Sequence, residues 1–117
     1  MVQVNANQVI YFAKAMVSQL QQRFDTTKKK AAIVVVSSCA AINPISGLTT
    51  YCATKTFASY VAEGINVELR DKIDVLNYEP AYVSTKLLKG NDGKPDNMGT
   101  ITPQKSADVC FRDLGSR

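Results

Sequence analysis

The amino-acid sequence predicts an α/β protein that contains part of a doubly wound parallel sheet. Two short apolar runs, 31–36 (AAIVVV) and 73–78 (IDVLNY), have the length and residue types of β-strands. A longer stretch with helical spacing of its apolar residues precedes each of them, at 4–23 and at 51–70. Because strands that alternate with helices pair in parallel, this order defines the fold class.

The first helix is predicted over residues 4–23, and Asn5 or Asn7 is expected to cap its start. Its apolar stripe consists of Val9, Ile10, Phe12, Ala13, Met16, Val17 and Leu20. The second helix is predicted over 51–70, with apolar positions at Phe57, Tyr60, Val61, Ile65, Val67 and Leu69. In the third helix, Thr102 is the predicted N-cap, Pro103 the first residue and Gly115 the stop.

The run 31–36 is predicted to be buried on both faces, as strands of parallel sheets are. Residues 37–50 are predicted to form a loop. Residues 87–102 contain Gly90, Gly93 and Gly99 together with asparagine and aspartate, so a mobile loop is expected there.

The length, charge and hydropathy of the chain limit the class of protein to which it can belong. With 117 residues the chain is long enough for one small domain, and it carries a net charge of +4. Much of this charge comes from Lys28–Lys30, which predicts a solvated loop and not a nucleic-acid patch. No stretch is apolar enough over about 20 residues to predict a membrane span.

Histidine is absent, which excludes Ser-His-Asp and Cys-His catalysis within the chain. The cysteines Cys39, Cys52 and Cys110 are odd in number and widely spaced, so neither structural zinc nor a disulfide framework is expected. This cysteine pattern favours a reducing intracellular compartment. Cys39 and Cys52 are interpreted as small packing residues.

Tyr51 and Lys55 are four residues apart, so they share one face of the second helix. Ser38 lies thirteen residues before Tyr51, just beyond the strand 31–36. Functional groups of α/β sheets gather at the carboxyl ends of strands, where a hydroxyl, a phenol and an ammonium can meet at one carbonyl oxygen. The alternative is a surface helical pair beside a capping serine, with Ser37 as a competing neighbour.

The run IVVVSSCAAINPISGLTTYCATKTFASYVAEGINVELR resembles the active-site region of the short-chain dehydrogenase/reductase family. DVLNYEPAYVSTKL is similar to that family's strand followed by Pro-Gly-x-Val-x-Thr, with Ala81 in place of the glycine. VQVNANQVIYFAKAMVSQL resembles the helix that carries the family's asparagine. Within the family, these segments are most similar to the branch of 17-beta-hydroxysteroid dehydrogenases and very-long-chain 3-oxoacyl-CoA reductases.

The resemblance implies that Tyr51 is the acid-base residue and that Ser38 holds the substrate carbonyl. It implies that Lys55 supports Tyr51 and bonds the cofactor ribose. Asn5, with Asn7 as an alternative, would anchor a water in the proton path. Pro80, Val83 and Thr85 match positions at the nicotinamide end of the cofactor, although Thr85 is also interpretable as a polar turn residue.

The family's Thr-Gly-x-x-x-Gly-x-Gly turn, which receives the cofactor pyrophosphate, has no counterpart in this sequence. We therefore expect residues 1–117 to be the C-terminal catalytic portion of a Rossmann-like domain. That portion would be truncated at both ends and would lack the dinucleotide-binding half.

The implied function is NADP- or NAD-dependent interconversion of a ketone and a secondary alcohol on a lipid, either a steroid or a 3-oxoacyl-CoA. A catalytically inactive structural or interaction subunit is the alternative. Expected partners are a lipid-like small molecule and either a second copy, through the two long helices, or a chain that supplies the missing half. The expected location is cytoplasmic or on the endoplasmic reticulum membrane.

Overall fold

The computed structural model of the chain describes residues 1–85 and 99–116. The chain divides into two compact units, Met1–Glu79 and Pro80–Arg117. The first unit has the predicted strand–helix–strand order, which confirms the α/β fold class. Gly90, Gly93 and most of the predicted loop 87–102 lie outside the described residues.

The first unit contains, in chain order, a π-helical turn (Gln3–Asn7), helix α1 (Gln8–Thr27), strand β1 (Ala31–Val36), a 3₁₀ turn (Cys39–Ala41), helix α2 (Thr49–Leu69) and strand β2 (Ile73–Tyr78). The strands pair in parallel, from Ala31 opposite Ile73 to Val36 opposite Tyr78. Their carboxyl ends therefore lie side by side. Helix α2 connects the two strands, as parallel pairing requires a crossover segment.

Small residues of α2 build the core of this unit against the sheet. Ala58 and Ala62 are each 1% exposed and pack with Val35, Ile73 and Val75. Because alanine side chains are short, the helix approaches the strands closely. The bulkier residues Phe57, Tyr60 and Val67, which belong to the predicted apolar set, are exposed instead.

The prediction that β1 is buried on both faces is wrong. Val35 is buried, and Ile33 packs against the same core, but Val36 is 56% exposed. The reason is that the core lies on one face of the sheet, and alternate strand residues point to the opposite face.

The N-cap prediction for the first helix is also wrong. Asn7 has helical backbone angles and makes no capping hydrogen bond, and Asn5 lies within the preceding π-helical turn. The chain is already helical before either asparagine, so no capping position exists there. None of the side chains of α1 is fully buried, although Val9 and Leu20 pack against the core.

Helix α1 ends with Lys28 in the left-handed conformation, at a φ of 58°. Glycine adopts this conformation without the steric cost that a Cβ atom imposes. We expect Lys28→Gly to raise the free energy of unfolding by about 0.5–1 kcal/mol, measured by urea denaturation. Lys29→Gly is the control, because Lys29 has no positive φ; equal stabilisation by both variants would contradict the explanation.

The second unit contains helix α3 (Pro103–Gly115). Its start agrees with the sequence, since the Thr102 side chain accepts a hydrogen bond from the Lys105 amide at 3.2 Å. Val83 and Ile101 form an isolated parallel bridge ahead of the helix.

Candidate active site

Helix α2 presents Tyr51 and Lys55 from its first two turns, because it begins at Thr49. Both side chains are partly buried. The Lys55 ammonium lies 5.8 Å from the centroid of the Tyr51 ring. The two residues therefore share one helical face and are in cation–π range, in agreement with their spacing.

Lys55 also connects α2 to the end of β1. Its Nζ donates a hydrogen bond to the Val36 carbonyl oxygen at 3.1 Å. Partial burial of the ammonium lowers the pKa of Lys55 below its ordinary value. An ammonium has three donors, so two N–H groups of Lys55 have no acceptor among residues 1–85 and 99–116.

The lowered pKa of Lys55 gives a direct test of this placement. We expect the Lys55 side chain to lose its proton at a lower pH than the lysine of an unstructured model peptide, as followed by NMR titration of the ε-carbon signal. Burial disfavours the charged form, so Lys55 should lower stability while charged, and stability should rise with pH between its folded and unfolded pKa values. Titration of Lys55 at the same pH as the peptide lysine would contradict the burial of Lys55.

Asn5 reaches the same helix from the π-helical turn. Its amide nitrogen donates to Thr54 Oγ1 at 3.3 Å, and Thr54 Oγ1 in turn donates to the Tyr51 carbonyl at 2.7 Å. Asn7 is exposed. Asn5, and not Asn7, is therefore linked through Thr54 to the backbone carbonyl of Tyr51.

The two adjacent serines have different surroundings. Ser38 caps the 3₁₀ turn, where its Oγ accepts a hydrogen bond from the Ala40 amide at 3.2 Å. Ser37 is buried and donates to the Asn77 side-chain oxygen at 2.8 Å. Within the described residues no hydrogen bond joins Ser38 to Tyr51. Within the described residues the Ser38 hydroxyl accepts a hydrogen bond but donates none, so it can donate to a ligand. The Ser37 hydroxyl already donates to Asn77.

A polar cluster that the sequence patterns did not predict lies at the carboxyl ends of the strands. The Asn77 amide nitrogen donates to Ser59 Oγ at 2.7 Å and to Glu79 Oε1 at 3.1 Å. Ser59 Oγ donates to the same Glu79 oxygen at 2.8 Å. The signals were present: Ser59 follows Lys55 by one further turn, and Asn77 is a polar residue within an apolar strand.

The predicted nicotinamide-contacting residues belong to the second unit. Pro80 opens that unit, and Val83 forms its bridge with Ile101. The Ser84 amide, next to Val83, donates to the Ile101 carbonyl at 2.9 Å. Thr85 lies at a bend and is partly exposed.

The described residues fit one end of a nicotinamide dinucleotide. The free donors of Lys55 suit ribose hydroxyls. A pyrophosphate cradle needs glycines whose missing Cβ lets the backbone approach the ligand. Yet a Cβ atom added at Gly47, Gly64 or Gly99 would meet nothing within 4 Å, so none of the three marks such an approach.

A groove of about 450 Å³ runs along the outer edge of β1, with Lys55 at one end and Phe12 and Met16 of α1 beside it. Ser37 donates its amide to Tyr78 in β2, so by strand alternation the peptide groups of Ala32, Val34 and Val36 face the groove. Hydrocarbon cannot satisfy peptide donors and acceptors, whereas an extended polypeptide can. We therefore do not assign this groove to a lipid substrate.

The cysteines and the long helices add no further chemistry. Cys52 is buried and accepts a hydrogen bond from the Ile45 amide at 3.4 Å, which agrees with a packing role, whereas Cys39 is exposed.

Among the residues that the structure describes, no group of metal-ligating side chains occurs. None of the helices in the described ranges is both long and apolar enough to cross a bilayer.

The parallel strand–helix–strand unit is part of a Rossmann-type α/β fold. Tyr51 and Lys55 lie on its helix, and Ser38 lies beyond its first strand. A family model described as short chain dehydrogenase matches residues 1–95. The chain belongs to the short chain dehydrogenase family, as its sequence predicted.

The curated relatives are of the predicted branch. The human very-long-chain 3-oxoacyl-CoA reductase is 36% identical over 81 residues, covering 68% of this chain and 26% of the relative. Very-long-chain 3-oxoacyl-CoA reductase-B of Danio rerio is 29% identical over 116 residues, covering 98% of this chain and 35% of the relative. The chain thus spans about a third of the length of these relatives or less.

A solved structure supports the fold. The bulky-bulky ketone specific alcohol dehydrogenase from Comamonas testosteroni superposes with a TM-score of 0.79 and 22% identity. The superposition covers 99% of this chain and 42% of that enzyme.

Proposed function

We propose that this chain supplies the acid-base residues of an NAD(P)(H)-dependent oxidoreductase that interconverts a ketone and a secondary alcohol on a lipid. Of the two lipid classes, a 3-oxoacyl-CoA is favoured over a steroid, because the curated relatives are named very-long-chain 3-oxoacyl-CoA reductases. The observation that carries the proposal is the placement of Lys55, which lies over the Tyr51 ring and is tied to the end of β1.

In the reductive direction, Tyr51 donates its phenolic proton to the substrate carbonyl oxygen, and Ser38 donates a hydrogen bond to the same oxygen. When bound, the dihydronicotinamide supplies the hydride that reaches the carbonyl carbon. One C–H and one O–H bond are thereby formed, and the ketone becomes a secondary alcohol. The nearby Lys55 ammonium stabilises the phenolate that Tyr51 leaves behind.

Lys55 and Asn5 have two further proposed roles, in cofactor binding and in the return of the proton to Tyr51. The two free donors of Lys55 bond the ribose next to the nicotinamide. Asn5, held on Thr54, anchors a water through which the phenolate regains its proton. Pro80, Val83 and Thr85 would contact the nicotinamide.

The test is NADPH and NADH binding by the purified chain, measured by calorimetry, followed by turnover of a 3-oxoacyl-CoA. Lys55→Met is compared with the exposed-site control Lys14→Met. Because the sequence contains no glycine-rich turn for the pyrophosphate, we expect weak binding of one cofactor by the wild-type chain and K14M. Binding by K55M should be at least about tenfold weaker still. A folded wild-type chain that binds neither cofactor would contradict the catalytic proposal.

An interaction subunit is the second candidate, and exposed apolar side chains favour it. Phe12 and Tyr11 of α1 are 69% and 70% exposed, and Tyr60 of α2 is 82% exposed. We propose that these helices contact a second copy or a partner chain. The molecular mass in solution decides: a strictly monomeric chain at all concentrations would contradict contact with a second copy.

A further inference from the structure

Asn77 and the three polar side chains around it link the elements that carry the proposed catalytic groups. Ser37 directly precedes Ser38 at the end of β1, and Glu79 directly follows β2. Ser59 lies on α2 four residues after Lys55 and eight after Tyr51, so all three share one helical face. The cluster therefore connects β1, α2 and β2 at the edge where their functional side chains meet.

The hydrogen bonds of this cluster form a chain of donors that starts at Ser37 and ends on the Glu79 carboxylate. Ser37 donates to Asn77 Oδ1, and Asn77 Nδ2 donates to both Ser59 and Glu79. Ser59 donates to Glu79, so the Glu79 carboxylate accepts from two neighbours at 2.8 and 3.1 Å. Hydrogen bonds that end on a charge are stronger than neutral ones. The carboxylate thereby fixes the amide, and the amide fixes the buried Ser37 hydroxyl.

Ser37 is held by its backbone as well. Its amide donates to the Tyr78 carbonyl at 2.9 Å. Its hydroxyl donates to Asn77 Oδ1 at 2.8 Å and, at the longer distance of 3.4 Å, to the Tyr78 carbonyl. Ser38 follows immediately and has an extended backbone, with φ −172° and ψ 155°. Its side chain bonds only the Ala40 amide within the described residues. The position of the Ser38 hydroxyl therefore depends on how firmly Ser37 is held.

We infer that Asn77 and Glu79 are positioning residues for Ser38, acting through Ser37. The inference rests on the proposed function for its catalytic consequence, but its structural consequence is independent of turnover. Loss of the cluster loosens the Ser37 side chain and leaves only its bonds to the Tyr78 carbonyl. The Ser38 hydroxyl can then move, which weakens the bond from the Ala40 amide. Displacements near 1 Å in a catalytic group commonly cost much of its rate contribution.

The test exchanges donor and acceptor across the Asn77–Glu79 bond. N77D places two carboxylates side by side, and E79Q removes the charge that anchors the amide. The double variant N77D/E79Q restores one donor and one acceptor with nearly unchanged shape. It should therefore recover the protection of the Ala40 amide that N77D loses. E63Q, at an exposed position of α2, makes the same charge change outside the cluster.

The first readout is amide hydrogen exchange at fixed neutral pH. We expect exchange of the Ala40 amide to accelerate about tenfold or more in N77D, and to return to within about threefold of wild type in the double variant. The Ala62 amide, in the middle of α2, reports global opening and should be unchanged. Equal acceleration at Ala40 and Ala62 would mean a general loss of stability and would overturn the positioning role.

The second readout is turnover with the thioester substrate. We expect N77D to lower kcat by about tenfold or more with little change in KM, and E63Q to leave both unchanged. If the wild-type chain has no turnover, the proposed function fails for this chain, while the exchange experiment still decides the positioning role. If turnover is present and neither kcat nor Ala40 exchange responds to N77D, the positioning role fails and the proposed function stands. If N77D does not fold, E79Q and N77D/E79Q are compared in its place, and E79Q exchange equal to wild type would overturn the inference.

Discussion

Tyr51→Phe is expected to lower turnover of a 3-oxoacyl-CoA by about 10²–10⁴-fold, because it removes the proposed proton donor and little else. The ring remains, so the cation–π contact with Lys55 remains, and the bond from Thr54 ends on the backbone carbonyl of residue 51. The fold of α2 should therefore be unaffected. Steady-state rates with NADPH, together with circular dichroism of both proteins, measure the effect.

Tyr60→Phe is the matched control for this experiment. Tyr60 lies on the same helix and is 82% exposed, so its hydroxyl has no part in the proposed chemistry. We expect Y60F to keep wild-type rates. If Y51F and Y60F had equal rates, Tyr51 would not be the acid, and a water or another side chain would have to deliver the proton.

Ile73→Ala is expected to have the largest effect on stability, a loss of about 2–5 kcal/mol in the free energy of unfolding. Ile73 is 0% exposed and packs in the core beside Ala58 and Ala62 of α2. Helix and strand cannot close the resulting cavity without moving apart from the remaining contacts. Urea denaturation followed by circular dichroism gives the value.

Ile42→Ala is the control, since Ile42 is 67% exposed in the segment between β1 and α2. Removing the same atoms there should change the free energy of unfolding by about 0.5 kcal/mol or less. A loss below about 1 kcal/mol in I73A would mean that the core collapses into the space, and the rigid packing of α2 on β2 would be wrong.

The elements of this fold follow from local patterns, and most of them were predictable. The β-branched run of β1 gives a strand with the predicted bounds, and β2 also begins and ends as predicted. The start of α3 follows from Thr102, whose side chain caps the helix, and from Pro103. These signals lie within a few residues of the structure they define, so no tertiary information is needed.

Choices between neighbouring residues were not predictable, because they depend on contacts with distant parts of the chain. Whether Ser37 or Ser38 points into the protein depends on the strand register that places Asn77 beside Ser37. Whether Asn5 or Asn7 faces α2 depends on the π-helical turn and on Thr54, which lies 49 residues away from Asn5. Sequence patterns contain neither fact.

The face of α2 shows the same limit in packing. Of the predicted apolar residues of α2, Ile65 and Leu69 pack against the core, whereas Phe57, Tyr60 and Val67 are exposed. The fully buried contacts come from Ala58 and Ala62. The distance between helix and sheet decides which side chains fit between them. That distance is set by the packed structure and not by hydrophobicity alone.

The outer edge of β1 has a consequence for the solution behaviour of the protein. The segment AAIVVV is six residues long, uncharged, rich in β-branched side chains and free of glycine and proline, which is the composition of segments that stack into cross-β fibrils. Three consecutive lysines, Lys28–Lys30, directly precede it, and Lys30 is paired with Asp74 at 3.1 Å. Charges that flank such a segment act as gatekeepers against stacking. We therefore expect the lysine triplet to oppose fibril formation by this chain, and neutralising the three lysines to promote it.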